Sequence, residues 1–459
     1  MKSKWFILVS LLLVATMLIS ACGETDEPTV ETPDEPVATE AAQPTEPVVE
    51  AEPVTLRVLI HQHPPLVEYM ETFNEQFEAA YPNVTIDMSV VNHADLPTIT
   101  QTRLTANDID VLDANMFSNA AQPYMVDVVP PNWQTLIEAG LLMDLSGQPF
   151  LDYYYPETLT DAGSFDGKVY EINLGRVGYS GIYYNKDLFA QYSVDIPTTW
   201  DELVAACETF AAADISCMTA GGADGWPIFV GAYGLIGSMY PDQAALVQGL
   251  WEGTITWNNE RSLEMWEKMQ VYAGDMLESG ASGIGHDAAP GRFASGAVAM
   301  FPGGTWVAAM IDDAGPEFEW GLFPWPGSDD PAENQYMFGK YDMGWTIAAN
   351  TPNPEAALNY LAMFSEPANY QAFIDAVEFI PTQPDITLAG TLGAELAPYL
   401  ANFRVGYEQY WVAPTGTGQW ANPWASYFQP FGEWDDPAAL ADQAQADLDA
   451  GLEAVGLNP

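Results

Sequence analysis

The chain has 459 residues and a formal net charge of −52, because 64 acidic residues outnumber 12 lysines and arginines. Nucleic-acid recognition depends on Lys and Arg contacts to phosphate, so this balance excludes nucleic acid as a partner and argues against anionic ligands. About 400 residues follow the N-terminal segments described below, which is more than one hydrophobic core usually holds and predicts two lobes.

Residues 1–21 have the pattern of a secretory signal peptide. Two lysines supply a basic start, an apolar run extends from Trp5 to Ile19, and small residues precede Cys22. A membrane-spanning helix needs about 20 apolar residues and is not followed by a cleavage site. The ending Ile-Ser-Ala-Cys resembles a bacterial lipobox, which implies that Cys22 carries lipid after cleavage and anchors the protein to a membrane. An ordinary cleaved signal ending near a cysteine is the alternative.

Residues 22–53 have the composition of a disordered tether. The segment is rich in proline and acidic residues, and it has no lysine or arginine and few large apolar side chains. Such a segment buries too little surface to offset the entropy of ordering. Proline and repulsion between like charges favour an extended chain. We therefore expect an acidic spacer between the anchor and the folded part.

The folded part begins with alternating strand and helix patterns. The first strand is rich in Leu, Val and Ile, and the first helix has an aromatic stripe at helical spacing. This order indicates βαβ units, a mainly parallel sheet with helices on both faces, and ligand binding at the carboxyl ends of the strands. The predicted strands are Thr55–Ile60, Val84–Val90 and Asp110–Leu112, and the predicted helices are Leu66–Ala80, Leu96–Thr105 and Trp133–Glu138.

Two cysteines of the folded part lie close together in the sequence. Cys207 falls on the apolar face of a predicted helix over Thr199–Ala213, with Thr199 placed to cap its first turn. Cys217 falls in a predicted short strand, Ile215–Thr219, that returns beside that face. An even pair in an oxidising compartment favours a disulfide, with two unpaired buried thiols as the alternative.

Several motifs recur in a fixed order along the folded part. Together they resemble the extracellular solute-binding proteins of bacterial ABC importers, specifically the carbohydrate-binding group that includes maltose-binding proteins. Each motif is weak by itself, and the order and spacing carry the resemblance. The matching segments are Phe77–Val84, Gly167–Tyr170, Tyr184–Phe189, Pro197–Leu203, Phe293–Met300, Gly304–Trp306, Asn353–Ala357 and Ile380–Pro381.

The resemblance implies a two-lobed, type II periplasmic-binding-protein-like α/β fold. Each lobe would be a mainly parallel sheet flanked by helices, with the ligand cleft between the lobes. The chain would cross between lobes near Arg176 and return near Asp342. We expect the first lobe to comprise residues 54–175 and 342–382, and the second lobe to comprise residues 180–338 and 385–459.

The resemblance also implies that ligand contacts come from loops facing the cleft. A sugar presents hydroxyls at its ring edge and C–H groups on its faces, so its receptor combines aromatic plates with carboxylates, amides and arginine. Core packing is the alternative for each tryptophan, and a solvated loop is the alternative for each polar residue. The expected ligand-binding residues are His61, His63, Asn115, Phe117, Arg176, Tyr179, Asp224, Trp226, Trp306, Tyr341, Asp342, Trp345, Trp420 and Trp424.

The predicted function is that of a lipid-anchored extracytoplasmic receptor. It would capture a sugar or oligosaccharide and deliver it to the permease subunits of an ABC transporter, as a monomer and without a cofactor. A receptor for a non-sugar solute such as a polyamine is one alternative, because an acidic cleft favours cations. A secreted glycoside hydrolase is another, and would need two carboxylates about 5–10 Å apart.

Two further kinds of site are not predicted. His61 and His63, with His93 elsewhere, have nitrogens that zinc prefers, but no cysteine or clear carboxylate joins them, so we expect no metal. The string Gly-x-Gly-x-x-Ala at residues 416–421 lies between Pro414 and Pro423. It lacks the strand, turn and helix that a dinucleotide site requires.

Overall fold

The computed structural model describes residues 52–113, 118–418, 421 and 436–457. The predicted signal peptide and lipidation site Cys22 lie outside these residues, as does all but the end of the predicted tether. Among the described residues, no helix has the length and apolar character needed to cross a membrane.

The strands agree closely with the sequence pattern in the first third of the chain. The first strand starts one residue earlier than predicted and ends one residue later, at His61. Its residues Leu56 and Val58 to Ile60 are buried on both faces of the sheet, as expected for a central parallel strand. The strands are β1 Val54–His61, β2 Val84–Val91, β3 Val111–Asp113, β4 Ser164–Phe165, β5 Lys168–Val169, β6 Ile172–Gly178, β7 Gly181–Asn185, β8 Ser216–Met218, β9 Val298–Gly303, β10 Trp320–Pro324, β11 Met337–Ile347 and β12 Phe403–Val405.

The helices begin where capping residues or proline favour a first turn. Thr199 accepts a hydrogen bond from the N–H of Glu202, and Asn185 caps α5 in the same way. The helices are α1 Pro64–Ala80, α2 Leu96–Thr105, α3 Asn132–Glu138, α4 Pro156–Asp161, α5 Lys186–Tyr192, α6 Trp200–Ala212, α7 Phe229–Met239, α8 Gln243–Glu252, α9 Glu260–Val271, α10 Ala289–Ala294, α11 Ala308–Asp313, α12 Pro354–Ser365, α13 Pro367–Val377, α14 Gly390–Leu396, α15 Tyr407–Tyr410 and α16 Pro437–Ala454.

The first lobe is built on a six-stranded sheet. Strands β2, β1 and β3 lie side by side and parallel, and β3 pairs antiparallel with β11. The long strand β11 also pairs with β6 and β12, so the strands at the first two crossings between the lobes belong to this sheet. Helices α1, α12 and α13 cover one face and bury a core that includes Phe73, Tyr360 and Phe373.

The second lobe is built on a four-stranded sheet in the order β10, β7, β9, β8. Helices α6, α7, α10 and α14 pack on these strands, and α16 packs on α9. The core of this lobe contains Phe210, Trp257 and Trp266, which are buried. The C-terminal helix therefore belongs with the second lobe, whereas β12 joins the edge of the first sheet.

The strand directions differ from the expectation of a mainly parallel sheet in the second lobe but not in the first. In the second sheet, β7 is antiparallel to both β9 and β10, and only β8 and β9 are parallel. The first sheet mixes parallel and antiparallel pairs. The physical reason is that β7 enters the second sheet directly from β6 of the other lobe, so no βαβ unit links β7 to the strands on either side of it.

The predicted disulfide is present. The sulfur atoms of Cys207 on α6 and Cys217 on β8 are bonded, with their Cα atoms 5.0 Å apart. The bond joins a helix to the edge strand of the second sheet. Because it closes only a short loop, it restrains this local unit rather than the lobe as a whole.

Candidate functional site

A cavity of about 570 Å³ has walls from both lobes. Residues at the ends of β1 and β2 form one wall, β11 lies at the back, and loops of the second lobe form the opposite wall. All four histidines of the chain line it: His61, His63, His93 and His286. We call this cavity the cleft.

The first-lobe wall is polar because two parallel strands end there. His61 closes β1 and His93 follows β2, so both side chains lie at the same edge of the sheet. Nδ1 of His61 lies 2.6 Å from Oδ2 of the buried Asp113 at the end of β3. The rings of His61 and His93 meet edge to face with centroids 5.2 Å apart, and the rings of His61 and His63 are 6.5 Å apart.

His63 is the most enclosed of these imidazoles. It is 5% exposed, and its Nε2 has no hydrogen-bond partner among the described residues. Burial lowers the pKa of His63 to about 3, with smaller contributions from His61 and His286 that outweigh the opposing effect of Asp342. The ring is therefore neutral near pH 7. It offers the cleft a hydrogen-bonding nitrogen that a ligand hydroxyl can satisfy.

An ion-paired group forms the back of the cleft. Nζ of Lys340 lies 3.6 Å from Oδ1 of Asp342 and 3.5 Å from Oε2 of Glu408. Lys340 and Asp342 lie two positions apart on β11, so their side chains point to the same side of the sheet. Glu408 lies on α15. Burial opposes ionisation of Asp342, but Lys340, His93 and His61 lower its pKa below the ordinary value. The carboxylate is thus charged and able to accept hydrogen bonds.

The second-lobe wall is aromatic. The rings of Trp226 and Trp306 have centroids 6.0 Å apart, and the His286 ring lies 4.5 Å from Trp226. Deeper in the cleft, the rings of Tyr179 and Tyr233 are 4.7 Å apart. These flat surfaces face the imidazoles and carboxylates of the first-lobe wall, so one side of the cleft suits C–H groups and the other suits hydroxyls.

The loop that leads to Trp306 requires glycine at position 304. Trp306 follows β9 after Gly303 and Gly304, and its ring folds back so that a Cβ atom at Gly304 would overlap it. The hydroxyl of Tyr183 donates to the carbonyl oxygen of Gly304 at 3.0 Å and fixes the loop. The indole is half-buried, and its Nε1 has no partner among the described residues.

Comparison with known proteins identifies the family. The family described as bacterial extracellular solute-binding protein matches residues 63–371, more than half of the chain. The chain belongs to this family. It is accordingly an extracellular solute receptor rather than an enzyme.

Two sequence relatives of this receptor have sugar-binding names. The multiple sugar-binding protein of Streptococcus mutans is 23% identical over 309 residues, which cover 66% of the receptor and 69% of the relative. The maltodextrin-binding protein MdxE of Bacillus subtilis is 27% identical over 220 residues, covering 47% of the receptor and 50% of the relative.

Solved structures share the fold of the receptor. The protein RafE in complex with raffinose is 21% identical with a TM-score of 0.70, covering 87% of the receptor and 99% of the solved chain. A chitin oligosaccharide binding protein is 18% identical with a TM-score of 0.70, covering 86% and 99%. The predicted two-lobed type II fold is confirmed.

Half of the residues predicted to bind ligand line the cleft of the receptor. They come from β1, from the crossing after β6, from loops of the second lobe and from β11. These residues are His61, His63, Tyr179, Asp224, Trp226, Trp306 and Asp342.

Three predicted residues lie elsewhere, and the strand alternation of β11 explains why. Lys340 and Asp342 face the cleft, so Tyr341 and Trp345 face the other side of the sheet. Tyr341 lines a second cavity of about 350 Å³. Trp345 is 0% exposed in the core of the first lobe, where its ring packs edge to face on two aromatic rings of α12. Arg176 pairs with Tyr341 in the register of β6 and β11.

The guanidinium of Arg176 therefore shares the face of Tyr341. It lies 5.1 Å from the ring centroid of Phe403 rather than in the cleft. Arg176, Tyr341 and Trp345 thus lie outside the lining of the cleft. The remaining predicted ligand residues, Asn115, Phe117, Trp420 and Trp424, lie outside the described residues.

Several cleft residues were not predicted as ligand contacts. Lys340 and Glu408 meet only in the folded chain, and Tyr233 lies on α7 without a motif to mark it. A signal did exist for His93, because it follows β2 as His61 ends β1. His286 had a weaker one, as a histidine within a glycine-rich loop.

The histidines do not form a metal site of the usual kind. Within the described parts of the chain, no group of three or more histidine, cysteine, aspartate or glutamate side chains has an arrangement suited to a metal ion. Nδ1 of His61 is engaged with Asp113. The chemistry that these rings supply to the cleft is hydrogen bonding.

Proposed function

We propose that the receptor binds a saccharide in the cleft and delivers it to an ABC transporter. The observation that carries this proposal is that one cleft is lined both by the indole rings of Trp226 and Trp306 and by imidazoles and carboxylates. Saccharides need both kinds of surface, because their ring faces are apolar and their edges carry hydroxyls. The sugar-binding names of the relatives, and the raffinose and chitin oligosaccharide proteins that share its fold, support the same class of ligand.

In this proposal, each wall has a separate role. Trp226 and Trp306 stack on sugar rings, where large aromatic side chains give extensive contact at little entropic cost. His61, His63 and Asp342 accept or donate hydrogen bonds at the ring edges. His63 gains most, since a ligand hydroxyl satisfies a buried nitrogen that otherwise lacks a partner among the described residues.

Closure of the two lobes would couple binding to transport. Two of the three crossings between the proposed lobes lie at the paired strands β6 and β11, which would form the hinge. A saccharide that touches both walls stabilises the closed form by the difference in its affinity for the two forms. The permease would then recognise the closed outer surface.

We also propose the cellular arrangement of the receptor. Cys22 would carry the lipid anchor, residues 22–53 would act as the tether, and the receptor would work as a monomer at the cell membrane. Residues 54–175 and 342–382 are proposed as the first lobe, and residues 180–338 and 385–459 as the second. Two strands are exceptions to these limits, because β11 from Met337 onward and β12 at Phe403–Val405 pair with each other in the sheet of the first lobe.

Thermal unfolding with a panel of saccharides and polyamines tests the proposed ligand class. A ligand that binds only the native state stabilises it by RT ln(1 + [L]/Kd), so binding appears as a dose-dependent rise in Tm. We expect a neutral di- or oligosaccharide to raise the Tm and to show saturable heat in titration calorimetry. A folded receptor that binds spermidine but none of the saccharides would contradict the proposal.

A further inference from the structure

The charges that line the cleft are unevenly divided. Four carboxylates line it, those of Asp224, Asp287, Asp342 and Glu408, against a single lysine. Among the described lining residues there is no arginine, the side chain that most often pairs with carboxylates and phosphates in two parallel hydrogen bonds. The cleft thus has a surplus of negative charge, in line with the net charge of the whole chain.

The one lysine does not offset this surplus. Lys340 lies between Asp342 and Glu408, at 3.6 Å and 3.5 Å, and is 9% exposed. Burial opposes its charge, but these two carboxylates raise the pKa of Lys340 above the ordinary value. Its positive charge is therefore more than compensated by these two neighbours, and Asp224 and Asp287 add two further negative charges at the other end of the cleft.

The enclosed histidines add no positive charge there near neutral pH. Burial lowers the pKa of His63 to about 3, and burial also lowers the pKa of His286 despite the opposing effects of Asp287 and Asp224. Both imidazoles are thus neutral hydrogen-bonding groups. His63 is nine-tenths buried with an unsatisfied Nε2 in the cavity, which marks the cleft as a built binding site independently of its carboxylates.

The second-lobe end combines these carboxylates with an aromatic plate. Asp224 and Asp287 are exposed and line the cleft together with Trp226 and His286, whose rings are 4.5 Å apart. Oδ2 of Asp224 accepts the backbone N–H of His286 at 2.5 Å, so the two loops are held together. An indole face beside two carboxylates is an arrangement that attracts an ammonium group.

We infer that the cleft selects saccharides without negative charge and holds an amino-substituted sugar ring against Trp226, with its ammonium group near Asp224 and Asp287. This inference rests on the proposed saccharide function and specifies its ligand class. The ammonium group hydrogen-bonds to the carboxylates, the sugar ring stacks on the indole, and the remaining hydroxyls face the imidazoles. A uronic acid at the same position meets like charge and is rejected.

Titration calorimetry with matched disaccharides tests the inference at pH 6.5. The probes share one β-1,4-linked backbone and differ only in substituent: cellobiose, di-N-acetylchitobiose, chitobiose with free amines, and cellobiouronic acid. An α-1,4-linked set with the same four substitutions covers the other ring geometry. We expect the amine to bind about tenfold tighter than the hydroxyl form and the carboxylate at least about tenfold weaker, the change that one close charge pair supplies.

Substitution of the two carboxylates locates the effect. Asp224→Asn and Asp287→Asn are expected to reduce the ratio of amine to hydroxyl affinity toward one. Asp195→Asn, which removes an exposed carboxylate outside the cleft lining, should leave that ratio unchanged. Circular dichroism checks that each variant is folded. Because the amine and hydroxyl affinities are compared within the same variant, a general loss of affinity cancels in their ratio.

Three results would overturn the inference. Equal affinity for the amine, hydroxyl and carboxylate forms would refute charge selection while leaving the saccharide function intact. An amine preference that survives both asparagine variants would place the ammonium elsewhere. Binding of spermidine without binding of any disaccharide would refute the saccharide function itself and, with it, this inference.

Discussion

His61 and Asp113 form a hydrogen bond that orients the first-lobe wall of the cleft. Nδ1 of His61 lies 2.6 Å from Oδ2 of Asp113, whose side chain is 0% exposed. An ionised carboxylate can only accept, so the imidazole donates through Nδ1 and leaves Nε2 as the nitrogen available for a ligand. Asp113 is therefore a positioning residue that acts through His61.

Asp113→Asn should weaken saccharide binding by about 1 kcal/mol, because the amide no longer fixes one tautomer of His61. Nitrogen-15 NMR of the imidazoles separates this role from a merely structural one, since the tautomer mixture of His61 should change. Asp87→Asn, on the exposed side of β2, serves as the control. Unchanged His61 signals together with unchanged affinity would remove Asp113 from the site.

Trp306 and Trp345 provide a matched pair for separating binding from folding. Trp306→Ala should weaken saccharide binding by about 1–3 kcal/mol, as loss of an interface aromatic does, with a smaller loss of folding stability. Trp345→Ala should reduce the free energy of unfolding by about 3–5 kcal/mol, because that ring lies in the core. Calorimetric affinity and urea unfolding of each variant measure both quantities. A Trp306→Ala protein that binds normally per folded molecule would show that the indole is only structural.

The sequence predicted the strand ends that form the cleft better than it predicted side-chain direction. His61 and His63 were placed by the end of an apolar strand, and the parallel pairing of β1 and β2 brought His93 beside them. Local patterns of this kind depend on neighbours in sequence. They nevertheless identify cleft residues, because parallel strands end at one edge of a sheet and the residues that follow them lie together.

For residues on β6 and β11, predicting which side chains face the cleft requires the strand register, and only the folded structure gives that register. Asp342 and Trp345 lie three positions apart on β11 and so face opposite sides of the sheet. A motif match cannot distinguish those sides, because the strand is buried on both faces. The ion pair of Lys340 and Glu408 joins residues far apart in sequence, and no local signal marks it.

Gly304→Ala should weaken saccharide binding by displacing the indole of Trp306. The added methyl group overlaps that ring, so the plate must rotate or the loop must move. Gly291→Ala is the matched control, because a Cβ atom at that helix position meets no atom within 4 Å and alanine favours a helix. Equal saccharide affinity in both variants would show that the ring has room to adjust.

His63 should make folding stability depend on pH in the acid range. Its pKa is about 3 in the native state, mainly through burial, and 6.5 in the unfolded chain. The unfolded state therefore binds more protons between these values. Stability from the neutral ring is present above pH 6.5 and is lost as pH falls toward 3, by up to about 1.4 kcal/mol per pH unit.

Urea unfolding of wild type and His63→Gln at intervals from pH 4 to pH 7 measures this contribution. The wild-type free energy of unfolding should fall more steeply with acid than that of the variant, because glutamine does not titrate. Other acid-labile groups, including His286, contribute equally to both curves. Parallel curves would show that His63 has no such linkage.

Glu378 should act in the opposite direction. This residue ends α13, is 9% exposed, and its pKa is raised to about 7 by burial and by the nearby carboxylates of Asp312 and Asp313. Between the unfolded value of 4.5 and about 7, the native state binds more protons than the unfolded state. Stability from the neutral carboxyl group is present below pH 4.5 and is lost as pH rises to 7.

Glu378→Gln should therefore stabilise the receptor at pH 8 by about 1–3 kcal/mol, because the neutral amide avoids a buried charge. The gain should disappear near pH 4, where the wild-type carboxyl group is itself protonated in both states. Urea unfolding at the two pH values measures the difference, and Glu366→Gln, at the exposed start of the same helix, is the control. An equal effect of Glu378→Gln at both pH values would mean that the carboxyl group of Glu378 is not linked to protons, and that the change acts through packing alone.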